Sequence, residues 1–224
     1  MNRTIRSLEV AAVAGTIAIG VPAVSTAANA SSAVANASSA VANASSAVAN
    51  ASSAAASCSA AAAYYDAAPT SANLAMIRTA VYCLIDAERA KVGLRPLTRT
   101  ASLESAAISH AAAAASIRWW TPGANSHNNP RTGSTPHSRI TAAGYCPNPV
   151  SWAYAETTYT GWGGGGTPRA AVNWWVNVST YGHRQIVLSP TLTDDGVGAA
   201  VGSANPAGGS GGGTYVVDFG RCQR

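Results

Sequence analysis

Length, composition and charge narrow the range of functions first. The chain has 224 residues, of which 10% are charged, and a formal net charge of +5. Its arginines are not clustered and no basic run is interleaved with aromatic residues, so the sequence argues against nucleic-acid binding. A charge excess this small favours anionic surfaces only weakly.

The first 30 residues have the features of a secretory signal peptide. Arg3 and Arg6 precede a mostly apolar stretch, 10–24, and Ala28-Asn29-Ala30 is a small-x-small tripeptide of the kind that signal peptidase accepts. The alternative is an uncleaved N-terminal anchor, but the apolar run is interrupted by Pro22 and is short for a spanning helix. We therefore predict a secreted, extracellular protein with no transmembrane segment in its mature form.

Residues 31–57 are an Ala/Ser-rich spacer built on a heptad repeat. The sequence Asn-Ala-Ser-Ser-Ala-Val-Ala begins at Asn29, Asn36 and Asn43, and a degraded copy begins at Asn50. A coiled-coil seam needs two large apolar positions per repeat, and here valine is the only one. Such a segment buries too little apolar area to offset its chain entropy. We predict a disordered spacer. The functional interpretation of this segment is a stalk at the cell surface or across the cell wall.

The remaining segment, 58–224, is long enough for one domain with a single core. It contains four cysteines, Cys58, Cys83, Cys146 and Cys222, and an even number in an exported chain indicates two disulfides with three possible connectivities. We favour pairing the first two and the last two. The first bridge would then fix the entering chain onto the first helix, and the second would hold the C-terminal strand.

Apolar periodicity and turn residues predict the elements of this domain. Apolar residues recur at helical spacing over 73–91, and Gly93 with Pro96 ends that helix. The Ala-rich segment 101–118 predicts a second helix, with His110 in its interior as a structural or surface residue. The remaining elements are a short helix at 136–143, a strand at 150–159, a helix from Thr167 through Trp175, and strands at 197–201 and 214–219. With so few crossovers, this order predicts an α+β fold with an antiparallel sheet covered by helices.

Two glycine-rich segments match functional motifs but lack their context. Residues 161–166 match G-x-G-x-x-G, yet a dinucleotide site also needs a second strand and an acidic residue about 20 positions further on. Residues 208–212 match G-x-S-x-G, yet they lie between two strands, whereas a nucleophile elbow joins a strand to a helix. We interpret both segments as loops.

The residues best suited to a functional site are His127, Glu156 and His183. Two imidazoles and a carboxylate are what a divalent metal, or acid–base work near neutral pH, requires. They stand 29 and 27 positions apart, so only a tertiary fold can bring them together. Taken alone, histidines with this spacing more often lie apart, on the surface or in the core, and share no site.

Several segments around these residues carry a family resemblance. The first, from Cys83 to Leu97, fits N-x-x-R-x-x-x-G-L-x-P-L, with Asp86 in place of the asparagine. The others are, in chain order, Asn125-Ser-His127, Arg139-Ile-Thr-Ala-Ala-Gly-Tyr145, Ala155-Glu156-Thr157-Thr158, Gly182-His183-Arg-Gln-Ile-Val-Leu188, and the closing Gly196-Val-Gly198 with Asp218-Phe-Gly220. In this order, over about residues 72–222, they resemble the CAP superfamily of cysteine-rich secretory proteins, antigen 5 and pathogenesis-related proteins, and its SCP domain.

The resemblance implies a three-layer α–β–α sandwich with a mainly antiparallel central sheet. It also implies a cleft that holds two histidines and one or two acidic groups, which here are His127, His183 and Glu156. The family's second acidic position falls near Asn177, which has no carboxylate. The segment from Trp175 to His183 is longer than its counterpart in the family.

We therefore expect a secreted CAP-domain protein whose cleft binds a ligand or a divalent metal. His127 and His183 are the expected metal ligands, with Glu156 as a further one, and Zn, Mg or Ca as the cation. The resemblance implies a lipid or sterol as the ligand. A cell-wall component is the other ligand that we expect, and we expect the protein to be a monomer. The first alternative is a metal-dependent extracellular hydrolase, although no serine–histidine–aspartate arrangement can be defended. The second is a surface-displayed interaction module whose contact residues are Trp119, Trp120, Trp152 and Trp162.

Overall fold

The computed structural model describes residues 35–36, 39–46 and 56–224. The predicted signal peptide, 1–30, lies outside the described residues and stays a prediction. Within the predicted spacer, residues 39–46 are helical with exposed side chains, and the disorder of that segment likewise stays a prediction. The chain divides into two units, Met1–Asn50 and Ala51–Arg224, and the candidate site belongs to the second. In the part of the chain that is described, no helix combines the length and apolar character needed to cross a bilayer.

The second unit alternates helices and strands in an order close to the predicted one. A helical segment at 56–61 and a 3-10 turn, Ala62–Tyr64, come first. The elements that follow are α1 (Leu74–Lys91), β1 (Thr98–Arg99), α2 (Ala101–Ile117), α3 (Pro136–Ala142), β2 (Ser151–Gly161), α4 (Pro168–Asn173), a π-helical turn (Trp174–Val178), α5 (His183–Val187), β3 (Asp194–Val201) and β4 (Gly213–Gln223). Every predicted helix and strand is present. The elements that were not predicted are the helical segment at 56–61, the 3-10 turn, β1, the π-helical turn and α5.

The four strands form one sheet in the order β1-β3-β4-β2. Strand β4 pairs antiparallel with both β3 and β2, which confirms the predicted antiparallel sheet. Strand β1 adds a parallel pairing of two residues to β3, and a strand this short has no pattern that a sequence can reveal. Strand β2 is an edge strand, so the loops of the site lie beside the edge of the sheet.

Helices cover both faces of the sheet, because successive strand residues point to opposite sides. On one face, Val197, Val217 and Phe219 belong to the main buried cluster, together with the apolar stripe of α1 and with Trp175. On the other face, Val216 and Ala200 pack against the alanines of α2. This arrangement confirms the mixed α+β fold with three layers that the resemblance implied.

The Ala-rich sequence of α2 has a structural reason beyond helix propensity. A Cβ atom added to Gly196 would overlap the backbone of Leu103 and Glu104, and one added to Gly198 would overlap the backbone of Ala107. Small residues on both elements therefore let α2 approach β3 until the two backbones are in contact. The close approach brings the C-terminal half of α2, and the loop that follows it, up to the sheet.

The two disulfides and the helix caps agree with the sequence. Cys58 pairs with Cys83 and Cys146 with Cys222, which confirms the favoured connectivity. The predicted N-cap Thr167 accepts a hydrogen bond from Ala170 N at the start of α4. Both glycine-rich motif matches prove to be loops: 161–166 leads from β2 to α4, and 208–212 lies in the connection between β3 and β4.

Candidate functional site

His127 lies in the loop between α2 and α3 and is held by Glu156 of the edge strand β2. His127 Nδ1 is 2.7 Å from Glu156 Oε1. A carboxylate can only accept, so Nδ1 donates its hydrogen, and the neutral ring keeps its lone pair on Nε2. Nε2 has no hydrogen-bond partner among the described residues. Glu156 therefore fixes the tautomer of His127 and leaves its outer nitrogen free.

Arg139 of α3 occupies the second oxygen of the same carboxylate. Its Nη2 donates to Glu156 Oε2 at 2.6 Å, and its Nη1 donates to the backbone oxygens of His127 at 3.0 Å and Ser134 at 3.1 Å. Burial raises the pKa of Glu156, but the hydrogen bond from His127 and the charge of Arg139 lower it, and the lowering prevails. Glu156 is thus a buried, ionised carboxylate with both oxygens engaged. The resemblance included Arg139 in a matching segment, but sequence reasoning did not assign it to the site.

His183 is the first residue of α5 and enters the site from the opposite helical layer. The chain turns into α5 at Gly182, whose φ of 85° is a left-handed conformation that suits glycine. His183 Nδ1 is 2.8 Å from Ser179 Oγ, which also accepts from Tyr181 N at 3.2 Å. Burial lowers the pKa of His183 to about 4, and His127 acts in the same direction whenever its own ring is protonated. His183 is therefore neutral near pH 7, and its Nε2 has no partner among the described residues.

A single cavity of about 600 Å³ brings the two histidines together. This volume lies within the range of about 300–1,000 Å³ that is usual for small-molecule sites. Its wall includes His127, His183, the Thr121–Ser126 segment and three residues of β2, Thr158–Thr160. Glu156 is not part of the wall, because it lies behind His127. Of the three candidate residues, two thus reach the cavity and the third supports one of them.

The second carboxylate of the site is Asp218, which sequence reasoning missed. It stands directly opposite Glu156 in the pairing of β2 with β4, and it is fully buried. Burial, the adjacent charge of Glu156 and a hydrogen bond that the protonated carboxyl can donate to Glu156 raise the pKa of Asp218 well above its usual range. Asn177, near the position that the family pattern suggested, is exposed and bonds Asn173 instead.

His110 has a structural role beneath the loop that carries His127. It is buried in α2, and its Nε2 lies 2.8 Å from the backbone oxygen of Ser126. Because that oxygen can only accept, Nε2 donates, and the buried Nδ1 has no partner among the described residues. Burial lowers the pKa of His110, which keeps the ring neutral. The interaction fixes the residue that precedes His127.

The donor atoms restrict which metal the site suits. Across the described residues, no group of three or more His, Cys, Asp or Glu side chains is placed to hold a metal ion. Glu156 has no free oxygen for a cation, since His127 and Arg139 use both. The two free imidazole nitrogens suit zinc, whereas magnesium and calcium prefer oxygen ligands. The imidazole nitrogens of His127 and His183 are therefore the site's candidate donor atoms for a cation, and the identity of the cation stays a prediction.

The four tryptophans of the interaction-module alternative lie in different environments. Trp120 is buried in the cavity wall, and Trp119 packs against it and His110. Trp152 stacks on Tyr154 of the same strand. Trp162 is 39% exposed and is the most accessible of the four. They form no common surface, because the first two belong to the cavity region and the others do not line it.

The fold and the site define a mixed α+β domain whose cleft is built on two histidines and a supporting carboxylate. The chain belongs to the CAP family: the family profile described as the Cysteine-rich secretory protein family matches residues 82–219. The matched range includes His127, Glu156 and His183, and also Arg139 and Asp218.

Two solved structures are similar to this chain at low identity. An extracellular protein containing an SCP domain from Bacillus anthracis strain Ames is 19% identical, with a TM-score of 0.49, and the match covers 70% of this chain and 44% of that one. An outer surface protein of Borrelia burgdorferi is 21% identical, with a TM-score of 0.45, and the match covers 64% of this chain and 90% of that one. This chain thus spans less than half the length of the Bacillus protein. No curated protein sequence matches it.

Proposed function

We propose that this protein is an exported CAP-domain binding protein whose cavity holds a small ligand between His127 and His183. The observation that carries the proposal is that two imidazoles line one cavity. In each of them Nδ1 is hydrogen-bonded, to Glu156 or to Ser179, and Nε2 has no partner among the described residues. Groups prepared in this way can accept from, donate to or coordinate a ligand without rearrangement. Membership of a secretory family and two disulfides support export to an oxidising compartment.

A zinc-like ion is the direct probe of the two histidines. When bound, such an ion would be held by His127 and His183 and would offer its remaining positions to water or to the ligand. Glu156 supports this role from behind, since a carboxylate on Nδ1 orients a metal-binding histidine and raises its basicity. With only two protein ligands, we expect an affinity weaker than that of a structural zinc site.

The test is a calorimetric titration of the folded protein with zinc chloride. We expect one binding event in the wild type and a loss of at least about tenfold in affinity for His127→Ala and for His183→Ala. His137→Ala is the matched control, because His137 is an exposed histidine of α3 that does not line the cavity. An unchanged isotherm in both cavity variants would remove the histidines from the proposed site.

A metal-dependent hydrolase is the second candidate, and one contact favours it. The hydrogen bond between Glu156 and His127 leaves a nitrogen base facing the same cavity as His183, which is the arrangement of a general base with its orienting carboxylate. This candidate predicts turnover of a peptide, ester or glycan that disappears with a chelator and in His183→Ala. Activity that survives both treatments contradicts it.

A further inference from the structure

The wall of the cavity differs in composition from a lipid site. Among the described residues that line it, there is no Leu, Ile, Val, Met or Phe. Acyl chains and sterols gain their affinity by burying apolar surface against such side chains. The aliphatic residues of the lining are limited to Pro122 and Ala124, so the cavity offers an acyl chain or a sterol little aliphatic surface.

The wall also lacks the charges that an anionic or cationic ligand needs. No Asp, Glu, Lys or Arg belongs to its described lining residues. Moving an ionised group out of water is costly unless a partner of opposite charge receives it. A metal ion can be held here by coordination to imidazole, but an organic ligand has no such bond, so a neutral organic ligand suits this wall.

Aromatic rings supply the apolar part of the wall. Trp120, Tyr159, Trp174 and Tyr181 all line the cavity. The ring centroids of Tyr159 and Trp174 are 5.8 Å apart, and those of Trp174 and Tyr181 are 6.5 Å apart. Flat aromatic surfaces bind the C–H faces of a saturated ring, and they do so without needing a flexible aliphatic pocket.

Neutral hydrogen-bonding groups supply the rest of the wall. The indole nitrogen of Trp174, the hydroxyls of Tyr181 and Thr121, and the side-chain amide nitrogens of Asn125 and Asn205 have no partner among the described residues. The two histidine Nε2 atoms add to this set. Because a hydroxyl taken out of water must find a new hydrogen-bond partner, a wall of this kind suits a ligand with many hydroxyl groups.

We propose that the ligand of this cavity is a neutral saccharide, bound by stacking on Trp174 and Tyr181 and by hydrogen bonds from the neutral side chains around them. This assignment rests on the proposed binding function and specifies the chemical class of its ligand. Tyr181 is 80% exposed, so its ring lies at the mouth of the cavity, where a further sugar unit of a chain would contact it.

The test is a titration of the full chain with four probes, in which calorimetry and tryptophan fluorescence detect binding. The probes are a tetrasaccharide of N-acetylglucosamine, cellotetraose, lauric acid and zinc chloride. Tyr181→Ala is the principal variant, because its exposed ring contributes little to the core, and Trp174→Phe is the second. Trp162→Ala is the control, since Trp162 is exposed but does not line the cavity.

We expect at least one tetrasaccharide to bind, with an affinity about tenfold weaker in Tyr181→Ala and unchanged in Trp162→Ala. Binding of zinc without binding of either saccharide overturns the saccharide assignment and leaves the binding function in place. Binding of lauric acid alone also overturns the assignment. Saccharide binding that is lost in Trp162→Ala but kept in Tyr181→Ala places the site elsewhere. If no probe binds, both proposals fall together.

Discussion

The engagement of both Glu156 oxygens decides its role. A carboxylate that bonds His127 on one side and Arg139 on the other cannot also reach a ligand in the cavity. The sequence predicted Glu156 as a site residue, but the choice between metal ligand and support depends on a contact with Arg139, 17 positions away. Only the packing of α3 against β2 creates that contact.

The supporting role of Glu156 leads to a prediction for Glu156→Gln. The glutamine oxygen can still accept from His127 Nδ1, but the uncharged amide no longer raises the basicity of the imidazole as a metal ligand. We expect zinc affinity to fall by about 10–100-fold, as is usual when the partner of a metal-binding histidine is changed. Calorimetry checks this, with Glu104→Gln as the control, since Glu104 pairs with Arg78 away from the cavity. An affinity equal to wild type would show that Glu156 does not tune His127.

Asp195 is a second buried carboxyl, outside the site. It lies on β3 and is 1% exposed, and its Oδ1 has no hydrogen-bond partner among the described residues. Burial, and then the charge of Asp86, raises the pKa of Asp195 to about 8, although Arg99 and Arg89 act in the opposite direction. Asp86 stands where the CAP pattern has asparagine, so this departure from the family brings two acidic groups together.

The raised pKa of Asp195 predicts how stability changes with pH. Between its ordinary value of 3.8 and about 8, the folded state keeps a proton that the unfolded state releases, so stability is lost as pH rises through this window. In Asp195→Asn this loss disappears, and we expect the variant to exceed wild type by roughly 2–4 kcal/mol at pH 9 but not at pH 4. Asp194 and Tyr82 also face this group, and both are unchanged in the variant.

Urea unfolding of both proteins at the two pH values measures this difference. Asp66→Asn serves as the control, because Asp66 is an exposed partner of Arg169. Parallel pH profiles for wild type and Asp195→Asn would contradict the prediction.

At the scale of elements, the contact between α2 and β3 leaves no room for a larger side chain. A methyl group at Gly198 would occupy the position of the Ala107 backbone, so α2 must move away from the sheet. We expect Gly198→Ala to lower the free energy of unfolding by about 3 kcal/mol, at the upper end of usual overpacking costs. In Gly209→Ala the new Cβ meets only Trp162 Cδ1 at 3.9 Å, so this control should change stability by less than about 0.5 kcal/mol. Urea denaturation measures both, and equal values would contradict the close approach.

Helices α1–α4 and strands β2–β4 could be predicted because their patterns are local. The apolar stripe of α1 and the Thr167-Pro168 start of α4 contain enough information by themselves. Asp218 could not be assigned, because only the register of β2 with β4 shows that it faces Glu156, 62 positions earlier. Strand β1 was not predicted for a similar reason, because its two residues form a strand only by pairing with β3.

At the scale of the whole molecule, the two disulfides close loops of different length. Cys146 and Cys222 are 76 positions apart, and their bridge joins the segment after α3 to the end of β4. Cys58 and Cys83 are 25 positions apart and join the entering chain to α1. The longer loop restricts the unfolded chain more, and therefore the two bridges should differ in their effect on stability.

We expect the double variant Cys146→Ala with Cys222→Ala to lose about 4 kcal/mol of unfolding free energy, and Cys58→Ala with Cys83→Ala about 3 kcal/mol. Equilibrium denaturation of the two double variants under oxidising conditions measures the difference. The reverse order would indicate that the short bridge stabilises the native packing around α1 rather than restricting the unfolded chain.

The π-helical turn has a consequence for the length of the chain in this family. Its hydrogen bond from Ser179 N to Trp174 O spans five residues, one more than an α-helical turn would hold. Trp175 is anchored to Thr158 O before the extra residue, and His183 is anchored to Ser179 after it. An insertion or deletion of one residue here can therefore be absorbed by exchanging one type of turn for the other, with both anchors kept. The turn can therefore change its length by one residue while Trp175 and His183 keep their places.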